Sequence, residues 1–220
     1  MERERHVDSG RDLFDGWARS GRSDSMAEAH GPAARPAFER IPLERDSWYL
    51  DVGCGNGYSV RWAAERAPAG RATGIDVSLS MIERAKELSA EFTNVEFLRT
   101  EFPEQALPEG RFDGIFSMEA FYYLDDLEGG LARVHDLLRP GGTFVCVVDY
   151  YAENTASHTW PKEVGVRMRL HSALGWKNRF EAAGLTVVEQ GRIKLPPEIA
   201  SAEWKTKQGS LLTVGRRAGA

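Results

Sequence analysis

Leu50-Asp51-Val52-Gly53-Cys54-Gly55-Asn56-Gly57 is the stretch on which the reading of the fold turns. Its left flank, Trp48 to Val52, is a short apolar run that reads as a buried strand. After the glycines, Val60, Ala63, Ala64 and Ala67 recur at helical spacing, and Pro68 ends the pattern. Glycine tolerates positive φ and lacks a Cβ, so a ligand can lie against the backbone there. The following helix offers unpaired N–H groups at its start. In an open α/β sheet such a loop sits beyond the carboxyl end of its strand, where ligands bind.

Working outward, strand and helix signals alternate. Residues 72–77, 94–98, 112–118 and 143–150 read as strands. Ser80 and Glu83 match a capping box, and Met81, Ile82, Ala85 and Leu88 form one apolar helix face behind it. Asp125 is the expected cap of a helix striped by Leu127, Leu131, Val134 and Leu138 and stopped by Pro140-Gly141-Gly142. Residues 172–183 read as a helix that Gly184 stops, and the strands 185–190 and 210–216 follow with no helix pattern between them. This order predicts an α/β, doubly wound, seven-stranded, mostly parallel sheet with one antiparallel strand. Residues 1–45 are mixed in charge but carry Leu13, Phe14, Trp17, Met26 and Phe38. They are expected to form an N-terminal helical lid on a cofactor-binding domain spanning 46–220, in which 150–176 is a substrate-side insertion.

Composition narrows the function. The 220 residues carry a formal net charge of −5 with no Lys/Arg block, so no nucleic-acid partner is expected. Two cysteines, Cys54 and Cys146, are too few for a disulfide framework or a zinc site, and no metal is expected. No apolar run is long enough to span a membrane, and the start MERERHVDSGRD has no signal-peptide core. A cytoplasmic monomer or homodimer without membrane contact is the expectation.

Asp76, at the end of the second strand, stands where a carboxylate accepts hydrogen bonds from ribose hydroxyls. A dinucleotide loop prefers Gly-x-Gly-x-x-Gly, but Tyr58 holds the sixth position here. The acidic Asp51 just before the loop offers a pyrophosphate nothing, whereas it suits the ammonium of a methionine.

LDVGCGNG, the following GIDVSLSMIERAKEL, and FDGIFSMEAFYYL before LLRPGG resemble the successive motifs of the class I S-adenosylmethionine-dependent methyltransferases. The likeness is nearest to the branch that includes small-molecule and quinone-ring enzymes. It covers residues 48–150 well, and it implies a Rossmann-like methyltransferase fold with S-adenosylmethionine as cofactor and S-adenosylhomocysteine as product. By the resemblance, Gly53, Cys54, Gly55 and Gly57 line the methionine end, and Asp51 orients its amino group. Asp76 binds ribose, Val77 and Met81 pack on adenine, and Ser117, Met118 and Glu119 meet the methionyl part. Glu101 and Phe102 stand where the family has Gly-Asp-Ala, and they are expected to meet the adenine edge.

Methyl transfer from a sulfonium needs an in-line approach, and a base only where the nucleophile starts protonated. The candidate bases are His158 and His30, with Tyr123 beside them; His171 follows, and His135 is discounted on its helix face. Trp17, Tyr122, Tyr150, Tyr151, Trp160 and Trp176 complete the candidate acceptor pocket. A small organic metabolite is the expected acceptor. The competing readings are a nicotinamide-dependent oxidoreductase, a methyltransferase acting on RNA or protein, and a non-enzymatic binding module on a methyltransferase fold.

Overall fold

In the computed structural model, which describes residues 15–16, 22–104 and 106–219, seven strands form one sheet. The strands are β1 (Trp48–Val52), β2 (Arg71–Asp76), β3 (Val95–Arg99), β4 (Phe112–Met118), β5 (Leu138–Val148), β6 (Leu185–Ile193) and β7 (Ser210–Arg217). Their order is β3-β2-β1-β4-β5-β7-β6. All neighbours pair in parallel except at β7, which runs antiparallel to both β5 and β6. The single antiparallel strand arises where two strands follow each other without an α/β crossover to reverse the chain. The direction of winding changes between β1 and β4, and a crevice opens there at the carboxyl ends of the strands.

The helices are α1 (Arg22–Phe38), α2 (Tyr58–Arg66), α3 (Leu79–Leu88), α4 (Leu127–Leu137), α5 (Trp160–Val164), α6 (Ala173–Ala182) and α7 (Glu203–Lys207). Side chains alternate along each strand, so the sheet divides the core in two. Val145 and Val147 of β5 join Val60, Ala63 and Ile82 on one face. Phe144, Cys146 and Val148 join Leu131, Val134, Trp176 and Phe180 on the other. Trp176, a candidate for the acceptor pocket, is therefore a core residue, 1% exposed.

The C-terminal half of α1 belongs to the first of these layers. Ala33, Ala34, Ala37 and Phe38 are buried, and the Phe38 ring meets Tyr49 and Trp62 edge-on at 5.7 and 5.6 Å. Leu13, Phe14 and Trp17 lie outside the described residues.

Two helix caps and the start of β5 are among the boundaries that differ from the sequence reading. Ser78, not Ser80, caps α3, accepting from the Met81 N–H at 3.1 Å, because the chain turns directly after Asp76. Asp126, not Asp125, caps α4 through the Gly129 N–H at 2.9 Å. Leu138 starts β5 instead of ending α4, since it pairs with Phe112 across the sheet. Pro140-Gly141-Gly142 lie within β5 as an irregularity between the Phe112–Leu138 and Gly114–Thr143 pairs, with Gly141 at φ +78.

Phe38→Ala leaves a cavity between α1, β1 and α2 and is expected to destabilise the fold by about 3–5 kcal/mol. Urea unfolding followed by circular dichroism measures this; a loss below about 1 kcal/mol means α1 is not part of the core.

Candidate active site

The glycine loop is pinned from below. The Gly53 and Cys54 N–H groups both donate to the Ile75 carbonyl, at 2.9 and 3.0 Å, which fastens the loop over the end of β2. Gly53, Gly55 and Gly57 all have positive φ. A Cβ on Gly53 would strike Ala120, and one on Gly57 would strike the Phe97 ring, whereas a Cβ on Gly55 would meet nothing within 4 Å. The loop thus packs tightly at both ends and leaves open space only above its middle.

That space belongs to a cavity of about 530 Å³. Of the residues assigned to the cofactor, Gly53, Cys54, Gly55, Asp76, Val77, Met81, Glu101 and Phe102 line it. Asp51, Gly57 and Ser117 do not. Gly57 faces the core through its contact with Phe97 and Ala85. The fully buried Ser117 hydroxyl donates to the Val52 carbonyl at 2.8 Å and so ties β4 to β1. The buried Cys54 side chain packs toward Gly74.

Asp51 lies just beneath the loop, 3% exposed. Its Oδ2 accepts the Ser59 hydroxyl, while its Oδ1 has no hydrogen-bond partner. Burial raises its pKa from 3.8 to about 7, opposed by the Ser59 hydrogen bond and reinforced by nearby Asp76. Asp76 accepts the Gly55 N–H at 3.0 Å through Oδ2 and the Ser78 N–H at 2.9 Å through Oδ1. Burial raises its pKa too, and these backbone bonds pull it down. Each carboxylate oxygen has two acceptor sites, so capacity remains for ligand hydroxyls. An orphaned buried carboxylate oxygen suits an ammonium, and the open space above Gly55 suits a chain laid on backbone. These features fit S-adenosylmethionine.

The opposite wall comes from α1, where Met26, Ala27 and His30 line the cavity, together with Met118, Glu119 and Tyr123 after β4 and with Val166 and Arg167. Asp24 fastens α1 to the loop, accepting the Asn56 side-chain amide at 3.1 Å and the Arg84 guanidinium at 2.8 Å. The 150–176 segment reaches the cavity only at Val166 and Arg167, held there because the Arg169 N–H donates to the Tyr122 carbonyl at 2.8 Å.

His30 and Tyr123 therefore stand at the cleft, but His158 does not. His158 is exposed, with Nε2 placed 3.1 Å from the Ala152 carbonyl, because the turn at residues 154–158 packs back on Asp149 through Asn154. His171 packs against Trp176, and Trp160 against Trp204. Tyr151 is buried, its hydroxyl donating to the Gly209 carbonyl at 2.9 Å. Burial, and then the charge of Lys205, lower the His30 pKa to about 4, so its imidazole is neutral at pH 7.

Sequence reasoning missed Asp24, Asn56, Asp149 and Lys205. Asp149 follows the carboxyl end of a parallel strand, a position that could have flagged it. Lys205 comes from α7 and carries no local signal; only the fold brings it beside His30.

Comparison with known proteins agrees with this geometry. Residues 50–142 match the model of a methyltransferase domain family. The trans-aconitate 2-methyltransferase of Escherichia coli is 37% identical over 136 residues, 60% of this chain and 51% of that protein. The chain spans about half or less of the length of the curated relatives it matches. Among solved structures, a chain from the complex between the Haloferax volcanii Trm112 methyltransferase activator and the putative methyltransferase superposes with a TM-score of 0.83. It is 33% identical, over 93% of this chain and 97% of that one. The Burkholderia thailandensis 1,6-didemethyltoxoflavin-N1-methyltransferase, solved with S-adenosylhomocysteine, shares the fold at a TM-score of 0.73 and 24% identity, over 96% of this chain and 88% of that one. Among the described residues no helix is long and apolar enough to cross a membrane.

The elevated pKa of Asp51 links stability to pH. Between 3.8 and about 7 the folded state holds a proton that the unfolded state releases, so this contribution is lost as pH rises through that window. In the ligand-free protein Asp51→Asn should therefore gain more stability over wild type at pH 8 than at pH 5. Urea midpoints at the two pH values measure this, and an equal difference at both would remove the assignment. With the glycine loop pinned over the end of β2 and its relatives in agreement, the chain belongs to the class I S-adenosylmethionine-dependent methyltransferases.

Proposed function

We propose that the protein transfers the methyl group of S-adenosylmethionine to a small organic metabolite that is neutral or cationic, by in-line displacement. The observation that carries this is the make-up of the single cleft joining the cofactor loop to the α1 wall. Glu101, Glu104, Glu119, Asp125 and Asp126 line it, and Arg167 is the one Lys or Arg among the described lining residues. Such a wall repels a polyanion, which disfavours a nucleic-acid backbone and equally a tricarboxylate of the trans-aconitate type. Tyr58, Phe102 and Tyr123 add aromatic surface on which a flat or cationic acceptor can rest.

The bound cofactor supplies an electrophilic methyl on a good leaving group, so the protein's own task is placement. On this reading Gly53, Cys54 and Gly55 hold the methionine end, with Asp51 beneath for its ammonium. Asp76 takes the ribose, Val77 and Met81 the adenine face, and Glu101 and Phe102 its edge. The cavity-facing half of α1, latched by Asp24, acts as the lid that keeps water out. His30, neutral at pH 7 and facing the cavity, accepts the proton of an O–H or N–H nucleophile, with Tyr123 orienting the acceptor. The 33% identity to a chain solved with an activator leads us to propose such a partner here as well.

Calorimetry should show S-adenosylmethionine binding, and Asp76→Ala should weaken it by about 1–3 kcal/mol, roughly 5- to 150-fold. Unchanged affinity in a folded variant removes the ribose assignment. A panel of phenols, amines and polycarboxylates, assayed for S-adenosylhomocysteine release, should give turnover with the first two classes; methylation of RNA or protein alone overturns the proposal. With the active acceptor, His30→Ala should lower kcat about 100-fold or more, whereas His158→Ala should not change it.

A further inference from the structure

Behind the α1 wall, side chains from three separate elements converge. His30 of α1, Glu119 just past β4 and Asp149 just past β5 place side-chain N and O atoms within 4.8 Å of one another. His30 and Glu119 line the cavity; Asp149 lies behind them, 2% exposed. Glu119 has φ +60, costly for a residue with a Cβ. One of its oxygens accepts the Asp149 backbone N–H, and the other is 2.7 Å from the Tyr122 hydroxyl. Asp149 Oδ1 is buried without a hydrogen-bond partner. Ser210 of β7 bonds the same carboxyl. Lys205 of α7, 5% exposed, donates to the Ala29 carbonyl at 2.9 Å, and its charge acts on His30, Glu119 and Asp149 alike.

Charge balance decides what this cluster holds. Two carboxylates this close and this buried do not both ionise. One shared proton leaves a single negative charge, which the Lys205 ammonium balances. A divalent cation would have to share the pocket with that ammonium and would leave excess positive charge away from water.

We propose that Glu119 and Asp149 form one acid–base unit, carrying one proton at rest and taking up the proton that the methyl acceptor releases. This rests on the methyl-transfer reading above. As the nucleophile bonds to the methyl carbon, the C–S bond breaks with its electron pair going to sulfur. The nucleophile's proton passes through His30 to the pair, whose two carboxyls are then both neutral, and it returns to solvent after product leaves. His30 alone cannot keep that proton at neutral pH, because burial and Lys205 hold its pKa at about 4. Burial raises both carboxyls, and the neighbouring Asp149 charge raises Glu119 further, while Ser210 and Lys205 pull Asp149 back down. Glu119 faces the cleft, and Asp149 acts through it as a positioning residue.

Infrared difference spectra of the ligand-free protein at pH 7, in H2O and D2O, test the shared proton without any acceptor. Glu119→Gln and Asp149→Asn should each lose the same deuterium-sensitive protonated-carboxyl band, because the carboxylate left behind faces Lys205 with no like charge beside it. If neither variant loses a band, both groups are ionised and the unit does not exist. If Asp149→Asn keeps the band that Glu119→Gln loses, Glu119 is protonated alone, and the unit is again overturned. Stoichiometric binding of Mn²⁺ or Zn²⁺ with loss of the band would make this a metal site instead. Carboxyl ¹³C NMR of the unsubstituted protein reads the same coupling, should a variant misfold. With an active acceptor, both variants should lower kcat about 100- to 1000-fold, while Asp149→Asn keeps its S-adenosylhomocysteine affinity within about twofold. Unchanged turnover in either variant removes the catalytic role. Failure of wild type to bind S-adenosylmethionine would sink the methyl-transfer reading and leave the infrared result standing.

Discussion

One carbonyl holds the site in place. The Ile75 oxygen accepts two consecutive N–H groups from the glycine loop, and this fixes how β1 leaves the sheet. From that anchor the loop must rise, pass Ala120 and descend onto Phe97, and only residues without a Cβ can make both close approaches. The cavity above Gly55 is the space this path leaves open. Asp76 reinforces it from the side by accepting the Gly55 N–H, so the residue proposed for ribose also shapes the loop it serves.

Around that anchor the cleft concentrates buried acid. Asp51, Asp76, Glu119 and Asp149 are all pushed toward their neutral forms by burial. Asp51 has a serine hydroxyl and one unused oxygen. Asp76 has two backbone N–H groups, and Glu119 and Asp149 have each other and Lys205. A cofactor carrying both an ammonium and a sulfonium suits such a field, and an anionic acceptor does not. The proposed preference for a cationic ligand rests on the arrangement of the carboxylates more than on their number, since a formal net charge of −5 on 220 residues is modest.

The N-terminal helix shows why one segment can serve both stability and access. Its C-terminal half, from Ala33 to Phe38, is built into the core, while Met26, Ala27 and His30 face the cavity. The latch between them and the loop consists of polar bonds through Asp24, which water can replace at modest cost.

Strand and helix periodicity, the glycine loop and the carboxylate at the end of β2 were written in the sequence, because each depends on residues close together in the chain. WYLDV and FDGIFSM became strands with the expected bounds, and Asp76 took its place beside Gly55. The caps slipped by a residue or two because several serines and aspartates compete at each helix start, and only the path of the chain selects among them. What the tertiary structure alone decided was the far wall of the cleft. His30, Glu119, Asp149 and Lys205 come from four elements, and no spacing in the chain foretells that their charges meet. The same long-range packing carried His158 out to solvent and Trp176 into the core. Local sequence sets backbone geometry, and so it determined the fold and the cofactor loop. Burial and charge pairing between distant elements set protonation and access, and so these were settled only once the chain had folded.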